Sequence, residues 1–140
     1  FKVAFGRSEI KTLNGKKVLI QLIKNPIGAN EVLKTISKDS NILIAINDNY
    51  ADGRDVSWLW DADFSLIKDV KNEIIVSGTR ANDMALRLKY AGINTDLIKM
   101  IPELSEAVKH IGKTASSDIT ILPTYTALLK LNKMDCLKKA

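Results

Sequence analysis

The 140-residue chain is poor in the residues that build covalent and metal-held sites: it has one cysteine, Cys136, and one histidine, His110. A lone cysteine closes no internal disulfide, and a reducing compartment is the simplest expectation. One cysteine and one histidine also fall short of a four-ligand zinc site. Long apolar runs are missing too. The longest are Val18–Ile20 and Ile42–Ile46, against roughly 20 residues for a membrane-spanning helix, so none is expected. The familiar nucleotide loops are absent: no G-x-x-x-x-G-K-[ST] occurs, and no G-x-G-x-x-G follows an apolar run. Basic residues come no denser than pairs such as Lys16-Lys17 and Lys138-Lys139, which reads as solvated surface and not as a nucleic-acid face. The chain opens at Phe1 and shows no signal-peptide pattern, so a piece of a longer protein is expected.

What is present suits one buried core. With 46% hydrophobic and 26% charged residues, disorder, collagen and coiled coil are excluded, and the length predicts a single domain over residues 1–140. The net charge of +5 hides an acidic knot. Residues 48–63 carry Asp48, Asp52, Asp55, Asp61 and Asp63 against Arg54 alone, a local charge of −4.

Apolar spacing predicts the elements. Ala29, Val32, Leu33 and Ile36 recur at helical intervals, as do Ala81, Met84, Ala85 and Leu88, and Leu104, Ala107, Val108 and Ile111. A fourth helix is expected over Tyr125–Leu137, with Leu128, Leu131 and Met134 inward. Between them lie the continuous apolar runs Val18–Ile23, Ile42–Ile46, Ile74–Val76, Leu97-Ile98 and Ile119–Leu122, the pattern of parallel strands covered on both faces. Lys2–Thr12 reads as extended, and Asn14-Gly15 supplies a type I′ turn into the strand at Val18. The predicted fold is therefore α/β: a Rossmann-like three-layer domain with a mostly parallel sheet and an N-terminal antiparallel edge strand or hairpin. The irregular stretch Asn47–Asp63 follows the strand Ile42–Ile46 directly. In open α/β sheets ligands bind beyond the carboxyl ends of strands, so a site is expected there.

The chemistry on offer is narrow. An EF-hand counted from Asp48 puts Tyr50 at position 3 and Leu59 at position 12, where oxygen ligands are required, so no metal site is expected. Ser77-Gly78-Thr79 joins a strand to a helix and has two readings: backbone N–H groups free for an anion, or Thr79 as helix cap with Gly78 easing the turn. His110, beside Lys109, reads as a surface residue in the last turn of its helix, and Cys136 as a buried or idle thiol. The remaining carboxylates either cap turns or orient a group brought by another chain. Trp58 and Trp60 suit either a protein interface or half-buried packing.

Asp48-Asn49-Tyr50-Ala51-Asp52-Gly53-Arg54-Asp55-Val56-Ser57-Trp58-Leu59-Trp60-Asp61 closely resembles the signature of the MurT family, the ligase subunits of lipid II isoglutaminyl synthase, in their C-terminal Mur-ligase-like domain. Gly6-Arg7-Ser8-Glu9, Lys24-Asn25-Pro26-Ile27-Gly28, Ser77-Gly78-Thr79-Arg80 and Leu122-Pro123-Thr124-Tyr125-Thr126 match in order and spacing. Two departures stand out. Gln21-Leu22-Ile23-Lys24 replaces the Asp-Tyr-Ala-His usual in amino-acid-adding Mur ligases, and Tyr50 stands where proline is common.

The resemblance implies a ligase subunit that uses ATP and Mg2+, held mainly by a preceding central domain, to amidate the D-glutamate α-carboxyl of lipid II to D-isoglutamine. Ammonia would come from a GatD-type glutaminase partner. The resemblance also implies that Asp55 completes that partner's Cys-His catalytic site, with Asp52, Arg54, Trp58, Trp60 and Asp61 at the interface and Arg7, Lys24 and Asn25 near the nucleotide. Cytoplasmic work at the inner face of the bacterial membrane follows from the same likeness, with no nucleic acid involved and no tight cofactor on this domain alone. Two other readings remain: a docking domain without a catalytic part, and a generic Rossmann-like ligand-binding module.

Overall fold

The computed structural model describes residues 8–140. The expected extended segment before Ser8, with Gly6 and Arg7, lies outside the described residues. Strand β1 (Ser8–Leu13) pairs antiparallel with β2 (Lys16–Gln21), Leu13 facing Lys16. Asn14 and Gly15, with φ of 52° and 79°, form the two-residue turn. A type I′ turn needs positive φ at both central positions, which is what the Asn-Gly pair supplies.

Helix α1 (Pro26–Leu33) leads to β3 (Asn41–Ala45), β4 (Ile74–Ser77), α2 (Ala81–Tyr90), β5 (Ile98–Met100), α3 (Leu104–Thr114), β6 (Ile119–Pro123), α4 (Tyr125–Asn132) and β7 (Lys138–Lys139). The sheet order is β5-β4-β3-β6-β2-β1-β7, parallel from β5 to β2 and antiparallel beyond. This is the expected mostly parallel α/β sheet with its N-terminal hairpin, plus one short outer strand. The lysines of β7 and its two-residue length blunt the exposed edge against further pairing.

Alternation along the strands divides the core. Ile42, Ile44, Ile74 and Val76 face one layer with Ala29 and Leu33 of α1 and Ala81, Met84 and Leu88 of α2. Leu43, Ala45, Ile75, Ile119 and Ile121 face the other with Leu104, Ala107, Val108 and Ile111 of α3 and Ala127, Leu128 and Leu131 of α4. Every residue of β3 is buried, so the strand has no polar face. Each fully buried Leu or Ile contributes about 1.5–3 kcal/mol relative to exposure.

Three local expectations change. The fourth helix ends at Asn132 instead of Leu137, which lets Leu137 enter the core and Lys138–Lys139 join β1. Helix α3 runs on to Thr114, so His110 lies within it and not in its last turn, with Nε2 2.9 Å from Glu73 Oε1. Cys136 is exposed. Between β3 and β4 no α-helix forms. Three one-turn 3-10 helices, Tyr50–Asp52, Ser57–Trp60 and Phe64–Ile67, cover the sheet there, burying Val56, Leu59, Ala62, Phe64 and Ile67.

Beyond β3 the chain departs over the α1–α2 face, and beyond its neighbour β6 it enters α4 on the opposite face. Their carboxyl ends therefore form the topological switch point of the sheet. Gly78 approaches it closely: its φ is +97°, and an added Cβ would lie 2.3 Å from Ile46 O and 2.7 Å from Asn47 Oδ1. Gly78→Ala combines backbone strain with a clash against main chain, and is expected to cost on the order of 2–4 kcal/mol in urea unfolding.

Candidate functional site

The switch point is spanned by the protein's own hydrogen bonds, beside a depression of about 520 Å3 bordered by Asn47, Asn49, Gly78, Thr79 and Thr126. Asn47 donates its backbone N–H to Thr124 Oγ1 (2.9 Å) and its side-chain amide to Thr126 Oγ1 (2.9 Å), while its Oδ1 accepts from Thr79 N–H (3.0 Å). One side chain thus ties the loops after β3, β4 and β6. Asp52 continues the network: Oδ1 accepts from Thr126 N–H (2.7 Å), and Oδ2 accepts from Thr126 Oγ1 (2.6 Å) and Asn49 N–H (3.0 Å). Thr126 is the second residue of α4, where a backbone N–H has no partner within the helix. The N-cap position, Thr124, makes no side-chain cap bond, so a carboxylate from a distant loop caps this helix and meets its positive end.

At the start of α2 the backbone is equally committed. Gly78 N–H donates to Pro102 O, Thr79 N–H to Asn47 Oδ1 and Arg80 N–H to Ile46 O. The anion-cradle reading of Ser77-Gly78-Thr79 therefore fails, because its donors are spent. Nor is Thr79 the cap, since the helix begins after Arg80. Thr79 instead accepts from Asp48 N–H (3.1 Å) and donates to Asp48 Oδ1 (3.0 Å). Arg80 bridges Asp48 Oδ2 at 3.1 Å and Asp83 Oδ2 at 2.5 Å. Arg80, with help from Thr79, holds the Asp48 carboxyl below its usual range.

The outer part of the loop is left to solvent. Gly53, with φ +83°, turns the chain after Asp52, and Arg54 then lies over the Tyr50 ring, 5.0 Å from its centre. Asp55 is exposed, and its Oδ1 accepts from Ser57 N–H at 2.8 Å. That bond, then one from the Ser57 side chain, lowers its pKa, so the carboxylate stays ionised at neutral pH. Asp55, Arg54, Ser57, Trp60, Arg80 and Asp83 line an open depression of about 270 Å3. Trp60 is 46% exposed, with its ring 5.9 Å from that of Tyr90.

Arg87 of α2 secures this segment from beneath. Its Nε donates to Leu59 O and its Nη2 to Ala62 O, both at 2.7 Å, and the guanidinium lies over the Trp60 and Phe64 rings. A planar fork is needed to reach two carbonyls and two rings at once.

The other sequence-predicted residues separate into two groups. Trp58 is half-buried and packs on the core, whereas Asp61 is exposed beside Trp60. Lys24, with Leu22, Ala51 and Tyr125, borders another depression of about 370 Å3 next to Asp52. Asn25 caps α1, its Oδ1 accepting from Gly28 N–H. Sequence reasoning missed Asn47, Arg87 and Thr126 as organising residues; the only signal was their place within or opposite the matched segments. No group of three or more potential metal ligands occurs among the described residues, and no described helix is long and apolar enough to cross a membrane.

Comparison with known proteins now decides the family. Residues 22–128 match the family model described as MurT ligase C-terminal. The chain belongs to the MurT ligase C-terminal family. Its relatives include the lipid II isoglutaminyl synthase (glutamine-hydrolyzing) subunit MurT of Streptococcus pneumoniae, 36% identical over 137 residues, covering 95% of this chain and 31% of that protein. The subunit MurT of Staphylococcus aureus (strain COL) is 36% identical over 130 residues, covering 88% of this chain and 29% of that protein. This chain thus spans about a third of the length of these MurT relatives. Among solved structures it resembles UDP-N-acetylmuramoyl-L-alanyl-D-glutamate–2,6-diaminopimelate ligase, with a TM-score of 0.51 at 18% identity over 84% of this chain and 26% of that one. The likeness to that Mur ligase is one of fold. The family-model match, residues 22–128, includes the whole Asn47–Phe64 loop, Lys24 and Asn25, and begins after Arg7.

The Asp48–Arg80 pair carries a pH signature. A carboxyl whose folded pKa is depressed contributes stability that is complete above its unfolded value, about 4, and is lost as pH falls through the folded value. Asp48→Asn is therefore expected to lower the melting temperature at pH 7, with the difference shrinking as pH falls below about 4 and through the depressed folded value. A difference that stays constant across that acid range would rule out the ionised pair as the cause.

Proposed function

We propose that this chain is the C-terminal part of an ATP-dependent ligase subunit that amidates the D-glutamate α-carboxyl of lipid II with ammonia released from glutamine. The names of the MurT relatives, each a glutamine-hydrolysing synthase subunit, support this reading. A subunit of this kind works with a glutaminase, and a GatD-type partner brings a cysteine nucleophile and a histidine. The loop Asn47–Phe64 docks that partner, with Trp60, Arg54 and Asp61 on the contact surface. The complex works in the cytoplasm, at the inner face of the membrane that carries lipid II.

Asp55 carries the proposal. It is exposed, ionised and held at one oxygen by Ser57 N–H, on a loop whose other acids are largely engaged within the chain. A carboxylate so presented accepts the imidazole N–H of the partner's histidine, fixes the tautomer that accepts the thiol proton, and stabilises the imidazolium that results. Asp52, with both oxygens committed to Thr126 and Asn49, suits anchoring better than contact.

The start of α2 offers ATP no phosphate cradle. The backbone donors at the start of α2 are satisfied internally, and no metal-ligating group accompanies them. ATP and Mg2+ are therefore assigned to the remainder of the longer protein, with Lys24 and Asn25 toward the nucleotide; Arg7 lies outside the described residues.

The test is Asp55→Asn in the complete two-subunit enzyme. The amide keeps the size but presents a donor where the imidazole needs an acceptor. Such a change costs ~10⁴ in kcat in a serine protease triad. A thiol depends less on its third member, so a loss of roughly 10²–10⁴ in glutamine hydrolysis is expected, with partner affinity nearly unchanged. Near wild-type hydrolysis would dismiss the shared site, and joint loss of activity and binding would favour a docking-only loop.

A further inference from the structure

We propose that the Thr126 hydroxyl is a positioning residue for Asp55: it locks the base of the loop Asn47–Asp55 onto α4 and so fixes where the exposed carboxylate stands. The inference rests on the reading of Asp55 given above and extends it to a residue on a different element, 71 positions along the chain.

A threonine hydroxyl has one proton to donate and two lone pairs to accept with. In Thr126 all three are used. The hydroxyl donates to Asp52 Oδ2 (2.6 Å) and accepts from the side-chain amides of Asn47 (2.9 Å) and Asn49 (3.1 Å). Its backbone N–H goes to the other oxygen of Asp52. One residue therefore holds Asn47, Asn49 and Asp52 in the base of the loop, while Asp48 is tied separately to Thr79 and Arg80.

Two residues separate Asp52 from Asp55. Between them lie Gly53 in the left-handed region and exposed Arg54. On the far side the chain is pinned by buried Val56 and Leu59 and by the Arg87 bond to Leu59 O. Asp55 is thus the crest of a short bridge with two abutments. Arg87 and the core secure the second, and the Thr126 hydroxyl secures the first. Releasing the first frees Gly53 to rotate. A shift of about 1 Å in a group that must meet another protein's imidazole is enough to cost on the order of 10²-fold in rate.

The experiment uses the complete two-subunit enzyme with Thr126→Val, which keeps the shape and the backbone N–H but removes the hydroxyl, and Thr126→Ser, which restores the hydroxyl alone. Thr126→Val is expected to lower kcat for glutamine hydrolysis roughly 10- to 100-fold, with KM and partner affinity within about threefold, while Thr126→Ser recovers most of the loss. Unchanged turnover in Thr126→Val, or a Thr126→Ser enzyme as slow as Thr126→Val, would overturn the proposal. If Thr126→Val does not assemble, Asn49→Ala takes its place. It deletes one amide feeding the hydroxyl, and turnover is expected to fall several-fold; no change there would equally overturn the proposal. Asp55→Asn is measured alongside. Its loss with normal Thr126→Val turnover removes the latch alone, whereas normal Asp55→Asn turnover removes both readings.

Discussion

The loops that follow β3, β4 and β6 at the carboxyl end of the sheet depend on the side chain of Asn47. A parallel sheet delivers its strand ends side by side, and the connections then diverge to opposite faces, leaving polar backbone without partners at the switch point. Asn47 offers a donor and an acceptor on one planar group, with its own backbone N–H beside them. It spends them on Thr126, Thr79 and Thr124. At the crevice that many α/β proteins give to a ligand, these polar groups are paired within the chain.

That occupation shapes what the site can do. The donors that would cradle a phosphate are used, Asp48 is matched to Thr79 and Arg80, and Asp52 is matched to α4. The acidic knot read from composition is therefore mostly internal wiring. What remains outward is a short crest with Arg54, Asp55, Trp60 and Asp61, supported from below by Arg87 and the buried 3-10 segment. A preformed carboxylate on a braced loop suits work that requires orientation without large movement.

Much of the architecture was legible because it depends on local pattern. The uniformly apolar run Ile42–Ile46 foretold a strand covered on both sides, and Asn14-Gly15 foretold the hairpin turn. The fourth helix was read too long because Met134 and Leu137 keep an apolar spacing although the chain has left the helix. The site was legible only as a place. Asp52 and Asp55 look alike in sequence, yet one is tied to a residue 74 positions away and the other is not. Partners so distant leave no periodic trace, so Asn47, Thr126 and Arg87 passed as ordinary polar residues. Trp58 and Trp60 differ for a related reason: in a one-turn 3-10 helix, two neighbours so close point to different surroundings, one toward the core and one toward solvent.

Asp55, and no other acid of the loop, is proposed to meet the glutaminase. The most direct measurement is a crystal structure of this chain's full subunit bound to its glutaminase partner. The expected result is an Asp55 carboxylate oxygen within hydrogen-bond distance, about 2.6–3.2 Å, of the imidazole whose other nitrogen faces the cysteine, with the Asp52–Thr126 bonds intact. Asp52 or Asp61 in that place, or no carboxylate of this loop near the imidazole, would contradict it.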